Sequence, residues 1–342
     1  MNKKTIIIAE AGVNHNGDFD MAKDMIYAAK KAGADYVKFQ TAIPELVIST
    51  FAPKAEYQKD TTGSEESQLE MCRRIHLPLS AYSELAQICR EVGIGFMSTP
   101  FDLPSIDCLA ELDMDFWKIP SGEITNLPYL RKIGAQKGKV IMSTGMSTLA
   151  EVEDAVKVLN QCGTPSENIW LLHCTTQYPA PPRSVNLLAM NELRLPNIAG
   201  VGYSDHTEGI EIAIAAAAVG AEIVEKHFTL DRNLPGPDHK ASLEPDQLAA
   251  MVQAIRKVDT AMGDGHKRAA MDEIANLDIA RKSIVAAREI KAGEVFTEQN
   301  ITTKRPGNGI NPMYWDAVIG CRAERDFAQD ELISVKKLEN LP

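Results

Sequence analysis

The sequence predicts an α/β protein in which eight parallel strands, each followed by a helix, close into a barrel, with a small β module behind it. Three observations predict it. Short segments rich in Val, Ile and Leu alternate with amphipathic stretches over the first ~265 residues. The 342 residues make about two domains, or one barrel plus a small module, at roughly 150 residues per domain. Almost every apolar segment ends in a side chain able to do chemistry, and in a barrel those ends converge on one rim.

The strands read, in order, Thr5–Glu10, Asp35–Gln40, Ile94–Thr99, Asp115–Pro120, Lys139–Thr144, Ile169–Cys174, Ala199–Ser204 and Glu222–Phe228, most of them preceded by a Gly or Asp turn signal. Helical periodicity fills the gaps at Asp20–Ala32, Ala81–Val92, Leu149–Gln161, Gly209–Val219 and Pro245–Met262. Strand one ends at Glu10, strand two at Lys38 and Gln40, and strand three at Ser98-Thr99. Strand four carries Lys118, strand five ends at Ser143 and strand six at His173. Strand seven ends at Ser204 with His206 just beyond, and strand eight at His227. Any one of these could be a polar residue facing a loop, but that reading is poor for all eight together. A doubly wound open sheet competes, and the absence of GxGxxG after the first strand weakens it.

Two stretches depart from a minimal barrel. Thr41 to Ser80 is long and polar, includes Lys54-Ala55-Glu56-Tyr57-Gln58-Lys59, and reads as a lid or a disordered loop. Beyond Met262 the composition turns to Gly-Asp-Gly-His-Lys-Arg and a polar helical stretch, Met271–Ala280. Strand-like pieces follow at Ser283–Ala287, Glu294–Phe296 and Asn300–Lys304. The expected division is a barrel over 1–265, a linker over 266–282 and a β module over 283–342.

Composition narrows the function. Hydrophobic residues make up 44% and charged ones 24%, ordinary for a soluble globular chain. Thirty-six basic residues against 47 acidic ones give a net charge of −11, so the basic footprint of a nucleic-acid binder is missing. No apolar run reaches the ~20 residues of a membrane span. The apolar stretch after Met1-Asn2-Lys3-Lys4 breaks at Glu10, too soon for a signal sequence. Cys72, Cys89, Cys108, Cys162, Cys174 and Cys321 show no CxxC spacing and read as reduced thiols of a cytoplasmic protein.

The rim residues suggest specific chemistry. His206 and His227 end adjacent strands, so two neutral imidazoles can reach one divalent cation and leave positions for water and substrate oxygen. Structural histidines are the plainer alternative. Lys38 and Lys118, with hydroxyls from Thr99, Ser143 and Ser204, suit a phosphate or carboxylate, unless the lysines are merely solvated strand ends. Thr144-Gly145-Met146-Ser147-Thr148 leads into a helix with Ser147 as its expected N-cap. Ser121-Gly122-Glu123 puts a carboxylate after strand four. Glu10, Glu123 and Asp238 are the acids near this basic rim, able to move a proton or orient a water. His15, in Asn14-His15-Asn16-Gly17, reads as a loop brace, and Tyr178-Pro179 as an aromatic anchor opening a Pro-rich loop.

Taken together, IAEAGVNHNG, DYVKFQT, MSTPFD, WKIPSGE, MSTGM, LLHCTTQYP, GYSDHT, EKHFTLD, GPDHKAS and KRPGNGI closely resemble the bacterial N-acetylneuraminate (sialic acid) synthases, in unbroken order from residue 6 to about 310. The resemblance implies a β/α barrel followed by an antifreeze-like β-clip (SAF) module. It implies that phosphoenolpyruvate condenses with N-acetylmannosamine and water to give N-acetylneuraminate and phosphate by C–O cleavage. It makes His206 and His227 the ligands of a divalent metal, usually manganese, with magnesium or cobalt able to substitute. Phosphoenolpyruvate would be held by Lys38, Thr99, Lys118, Ser121, Ser143 and Ser204, with Thr176 where the family has an Asn. Gln40, Tyr178 and Asp238 would surround the open-chain sugar, with Glu10 and Glu123 handling protons and water. Arg305 would arrive from the other subunit of a domain-swapped homodimer. An amide-bearing lid residue near Lys59 to Gly63 has no assignable counterpart. Legionaminate and pseudaminate synthases, which take a 2,4-diacetamido-trideoxy hexose, share nearly all these motifs. The lid (APKAEYQKD…ESQLEM) and tail (ITTKRPGNGI) favour sialic acid among them. Two other activities compete: rim lysines on a barrel also suit a Schiff-base lyase, and the tail module alone would permit a sugar-binding protein without catalysis, though a binder needs no paired rim histidines.

Overall fold

A computed structural model describes residues 4–55, 58–59, 62 and 65–338. Glu56, Tyr57, Asp60, Thr61, Gly63 and Ser64 of the expected lid lie outside the described residues. The chain divides into two compact units, Met1–Asp264 and Gly265–Pro342.

The first unit is a parallel β/α barrel. Its strands are β1 (Ile6–Gly12), β2 (Tyr36–Thr41), β3 (Gly95–Pro100), β4 (Trp117–Ile119), β5 (Val140–Ser143), β6 (Ile169–Cys174), β7 (Gly200–Asp205) and β8 (Ile223–His227). They lie in the order β3-β2-β1-β8-β7-β6-β5-β4, so β3 and β4 are the two ends of the ladder and meet across a seam. The hydroxyl of buried Tyr129 bridges that seam, donating to the Pro100 carbonyl at 2.8 Å from the β4 side.

Alternation along each strand explains the interior. Side chains two residues apart share a face, so each strand sends one row into the barrel and the other toward the helices. Inside, Ile8, Met97, Phe116, Ile141, Leu172 and Ile223 form their own buried cluster. Gly202 belongs to this layer because a Cβ there would lie 2.3 Å from the Ile223 carbonyl oxygen and 2.6 Å from Leu172 Cδ2. Two residues further along their strands stand Glu10, Lys38, Thr99, Lys118, Ser143, Ser204 and Glu225, all buried. A hydrophobic plug thus carries a polar layer on the side where the strands end. The outward rows pack with the helices in a separate, larger core that includes Ile7, Val37, Ile119, Val140 and Val224.

Helix ends follow their local chemistry. Asp18 caps the helix Phe19–Ala32 by accepting from Met21 N, and Gly33 ends it at φ 88°. The helix Leu149–Cys162 is capped by Thr148, not by Ser147 as the sequence suggested. Thr148 and Glu151 form a reciprocal capping box there, while the Ser147 hydroxyl turns back to the Gly145 carbonyl.

The long connection after β2 is not simply a loop. It contains a short helix, Pro44–Val47, and an amphipathic one, Gln68–Ile75, which starts at a Ser67–Glu70 capping box and buries Leu69, Met71, Cys72 and Ile75. Charged neighbours in SQLEMCRRI masked this periodicity.

In the second unit, β9 (Ser283–Ala286) and β10 (Ile301–Lys304) pair antiparallel over a small core that includes Ile284, Ile290, Phe296, Phe327 and Ile333. The strand expected at Glu294–Phe296 reduces to an isolated bridge, Val295 to Arg322. The helix Ile274–Ala280 precedes this unit's strands. All six cysteines are free. Among the described residues, no helix is long and apolar enough to cross a membrane.

Candidate active site

The polar layer of the barrel is a compact charge cluster. Lys38 Nζ lies 2.6 Å from Glu10 Oε2 and donates to Thr99 Oγ1 at 3.0 Å. Lys118 Nζ donates to Ser143 Oγ at 2.7 Å. Between the two lysines sits Glu225, 3.7 Å from Lys38 and 3.6 Å from Lys118, with the Ser204 hydroxyl donating to it at 2.9 Å. Gln40 Nε2 donates to the second oxygen of Glu10 at 3.1 Å. Gly12 closes the strand at φ 54°, where a Cβ would press on both Gln40 Nε2 and Glu10 Oε1 at 3.3 Å.

Burial and neighbouring charge act unequally on these groups. Burial alone raises a carboxyl pKa. It lifts Glu10 to about 6, with Lys38 opposing the rise and Glu225 adding to it. Glu225 is just as buried, yet Lys118 and Lys38 together hold it down to about 2. Burial lowers a lysine, but Glu10 and Glu225 more than compensate at Lys38, which ends above its ordinary value. Lys118 has Glu225 as its only close carboxylate among the described residues, and burial leaves it below its ordinary value. Lys118 is therefore the cation with less countercharge.

Above this layer stand the histidines. The ring centroids of His206 and His227 are 5.4 Å apart, the rings tilted at 60°. His206 Nδ1 donates to the Thr175 carbonyl at 2.7 Å, which fixes its tautomer. The Tyr178 ring lies against His206 at 4.1 Å, its hydroxyl donating to Nε2 at 3.1 Å. His227 is held neutral, far below its ordinary pKa, by burial, with His206 and Lys38 acting in the same direction. Its Nδ1 is buried without a hydrogen-bond partner among the described residues. These residues contain no group of three or more His, Cys, Asp or Glu arranged for a metal. A cation here would have two protein nitrogens.

Two cavities open on this rim. One, of about 190 Å³, is lined by Glu10, Lys38, Thr99, Lys118, Ser121, Ser143, Cys174, Thr176, Ser204 and Glu225. The other, of about 250 Å³, is lined by Asp238, Gln58, Gln68 and His76 and by apolar side chains that include Val13, Ile48, Met71 and Ile75. Gln40, Phe101, Tyr178 and His227 border both. Burial lifts Asp238 to about 6, with His206 pulling the other way.

The structure thus brings thirteen of the expected residues onto two joined cavities and leaves two elsewhere. Glu123 borders neither cavity; it sits in the turn Ser121–Glu123, where its carboxylate accepts from Asn126 at 2.5 Å and burial raises its pKa. Arg305 belongs to the second unit, exposed, with Nε donating to the Ala280 carbonyl at 3.1 Å. The sequence reading passed over Glu225 and Phe101. Glu225 had a signal, since it lies two residues before His227 and must share its face.

The fold and rim define a β/α-barrel protein in which a histidine pair overlooks a lysine- and hydroxyl-lined pocket for an anion. Its sequence matches the NeuB family model over residues 25–267 and a SAF domain model over 281–339. The chain belongs to the NeuB family. It is 54% identical, over 97% of its length and 99% of the relative's, to the N,N'-diacetyllegionaminic acid synthase of Campylobacter jejuni. It is 43% identical to the protein of that name in Legionella pneumophila, over 94% and 91% of the two chains. Among solved structures, it resembles N-acetylneuraminic acid synthetase from Leptospira borgpetersenii in complex with citrate, with a TM-score of 0.70 and 32% identity over 80% and 90% of the chains. The likeness to proteins bearing the legionaminic acid name thus exceeds the likeness to this sialic acid synthetase, against the expectation drawn from the lid and tail.

Proposed function

We propose that the protein is a phosphoenolpyruvate-dependent nonulosonate synthase whose sugar is a 2,4-diacetamido-trideoxy hexose, making it an N,N'-diacetyllegionaminate synthase. The reaction class rests on one observation above all: a buried pocket with an under-compensated lysine opens, across His227 and Tyr178, onto a second cavity of sugar size. The choice of sugar is supported by the 54% likeness and by the apolar wall of that second cavity, which suits a methyl group in place of a hydroxymethyl.

In this reading Lys118, Lys38, Thr99, Ser143, Ser204, Ser121 and Thr176 hold phosphoenolpyruvate, and Lys118 supplies the charge least neutralised by the protein itself. Gln40, Tyr178 and Asp238 hold the sugar. The neutral His227, its orphaned ring nitrogen and the fixed tautomer of His206 fit a divalent cation, with manganese first and magnesium or cobalt as substitutes. Such a cation supplies Lewis acidity to the sugar carbonyl when bound. The methylene carbon of phosphoenolpyruvate attacks the sugar aldehyde. Water adds to the carbon bearing the phosphate, and phosphate leaves with its C–O bond broken. Glu10, raised to about 6 and bordering the anion pocket, is placed to exchange a proton at neutral pH. Glu123, tied to Asn126, borders neither cavity and supports the loop that carries Ser121. Arg305 of the partner subunit completes the sugar site in a swapped homodimer.

One observation favours a second reading: a buried lysine with a lowered pKa, Lys118, is also suited to imine chemistry. The deciding experiment measures phosphate release from phosphoenolpyruvate with a 2,4-diacetamido-trideoxy hexose, with N-acetylmannosamine and with no sugar. The expected outcome is release that requires sugar, favours the diacetamido compound, is abolished by EDTA and returns with manganese. Covalent trapping of pyruvate by borohydride would establish the lyase instead, and a greater kcat/KM for N-acetylmannosamine would restore the sialic acid assignment.

A further inference from the structure

We infer that the side-chain amide of Gln68 reads the second acetamido group of the sugar and so sets the preference for a 2,4-diacetamido substrate. The inference rests on the diacetamido reading proposed above and gives that preference a residue. Gln68 begins the helix Gln68–Ile75, which lines the larger cavity and contributes nothing to the anion pocket. Its Oε1 is buried with no hydrogen-bond partner among the described residues. Its Nε2 faces only a weak acceptor, Cys72 Sγ, at 3.9 Å.

A buried amide oxygen left unpaired loses its hydration without replacement, and such groups are few in folded proteins. Here the amide borders a cavity whose neighbouring walls are Met71, Ile75 and Ile48. A second acetamido group answers two features of this wall, the orphaned oxygen and the apolar side chains beside it. Its N–H donates to the orphaned Oε1 and its methyl lies on the apolar side chains, while its carbonyl, trans to the N–H, points away and Nε2 keeps its contact with Cys72. A hydroxyl in the same place satisfies one amide atom and leaves the apolar wall facing a polar group. The Ser67–Glu70 capping box holds the first turn of the helix, and with it the base of the Gln68 side chain.

The test is steady-state kinetics of wild type and Gln68→Met with both sugars, following phosphate release. Met keeps length and volume and removes both hydrogen-bonding atoms. The expected result is a rise of roughly tenfold to a hundredfold in KM for the diacetamido sugar. The KM for phosphoenolpyruvate should stay within about threefold of wild type, and kcat/KM for N-acetylmannosamine should fall clearly less than that for the diacetamido sugar, so that the ratio between the sugars narrows. An equal loss with both sugars, or an unchanged preference, overturns the role of Gln68 while leaving the diacetamido reading intact. A wild-type preference for N-acetylmannosamine overturns both. If Gln68→Met does not fold, as judged by circular dichroism, Gln68→Leu reads the same ratio, because it too removes both hydrogen-bonding atoms from this wall.

Discussion

At the level of single residues, Glu225 organises the floor of the site. A carboxylate shared by two buried ammonium groups opposes the desolvation that lowers both lysines, and they in turn hold it ionised. A different buried group sets part of the pH response of folding. His15 is fully buried, packs against Phe39, and accepts from Gly17 N through Nδ1. Burial, aided by His76, lowers its pKa from 6.5 to about 4. Between those values the unfolded chain takes up a proton that the folded one refuses, so this contribution is complete above pH 6.5 and is lost as pH falls through 4. Its size is about 3 kcal/mol. Urea titrations of wild type and His15→Asn, from pH 7 to pH 4, should show the wild type losing about that much more stability. Parallel pH curves would remove His15 from the account. His15 was legible as a loop brace from Asn14-His15-Asn16-Gly17, and the rim lysines and hydroxyls were legible as strand ends. Glu123 was legible as a carboxylate in the loop after strand four, but the Asn126 amide from which it accepts was not.

Elements were legible in proportion to how purely apolar they are. All eight barrel strands stand within two residues of where Val, Ile and Leu runs put them, because a strand buried on both faces reads as a continuous apolar run. The helix Gln68–Ile75 was not read, since its buried Leu69, Cys72 and Ile75 are interleaved with Glu70, Arg73 and Arg74. Its stability rests visibly on Ser67, whose hydroxyl accepts from Glu70 N. Loss of such a cap costs about 1 kcal/mol. Ser67→Ala should therefore loosen the wall of the larger cavity and raise the KM for sugar several-fold, while the KM for phosphoenolpyruvate stays unchanged. A change in both constants would show that the helix supports the whole rim rather than one cavity.

For the molecule as a whole, the pattern of short strands alternating with helices was enough to foresee a barrel and a following β module. The product was not, because synthases that take different sugars share nearly all the rim motifs quoted above. The swapped arrangement proposed for Arg305 makes a prediction at this scale. Mixing inactive His206→Ala and Arg305→Ala proteins under subunit exchange puts both lesions in one site of each heterodimer and neither in the other. At statistical exchange, activity should return to about a quarter of wild type. No recovery, with exchange verified by mass, would mean that each chain completes its own site.

The seam of the barrel bears on how such a site meets its ligand. Thr99 and Lys118 stand on β3 and β4, the two strands at which the ladder stops, with the Tyr129 phenol reaching across between them. Neighbouring staves elsewhere are joined by rungs of backbone hydrogen bonds, whereas these two meet through packed side chains such as Met97 and Phe116 and through the Tyr129 hydroxyl. The spacing of Thr99 and Lys118, which the proposed function sets around one anion, is therefore fixed by side chains and not by a backbone ladder, and Tyr129→Phe is the change that would show it.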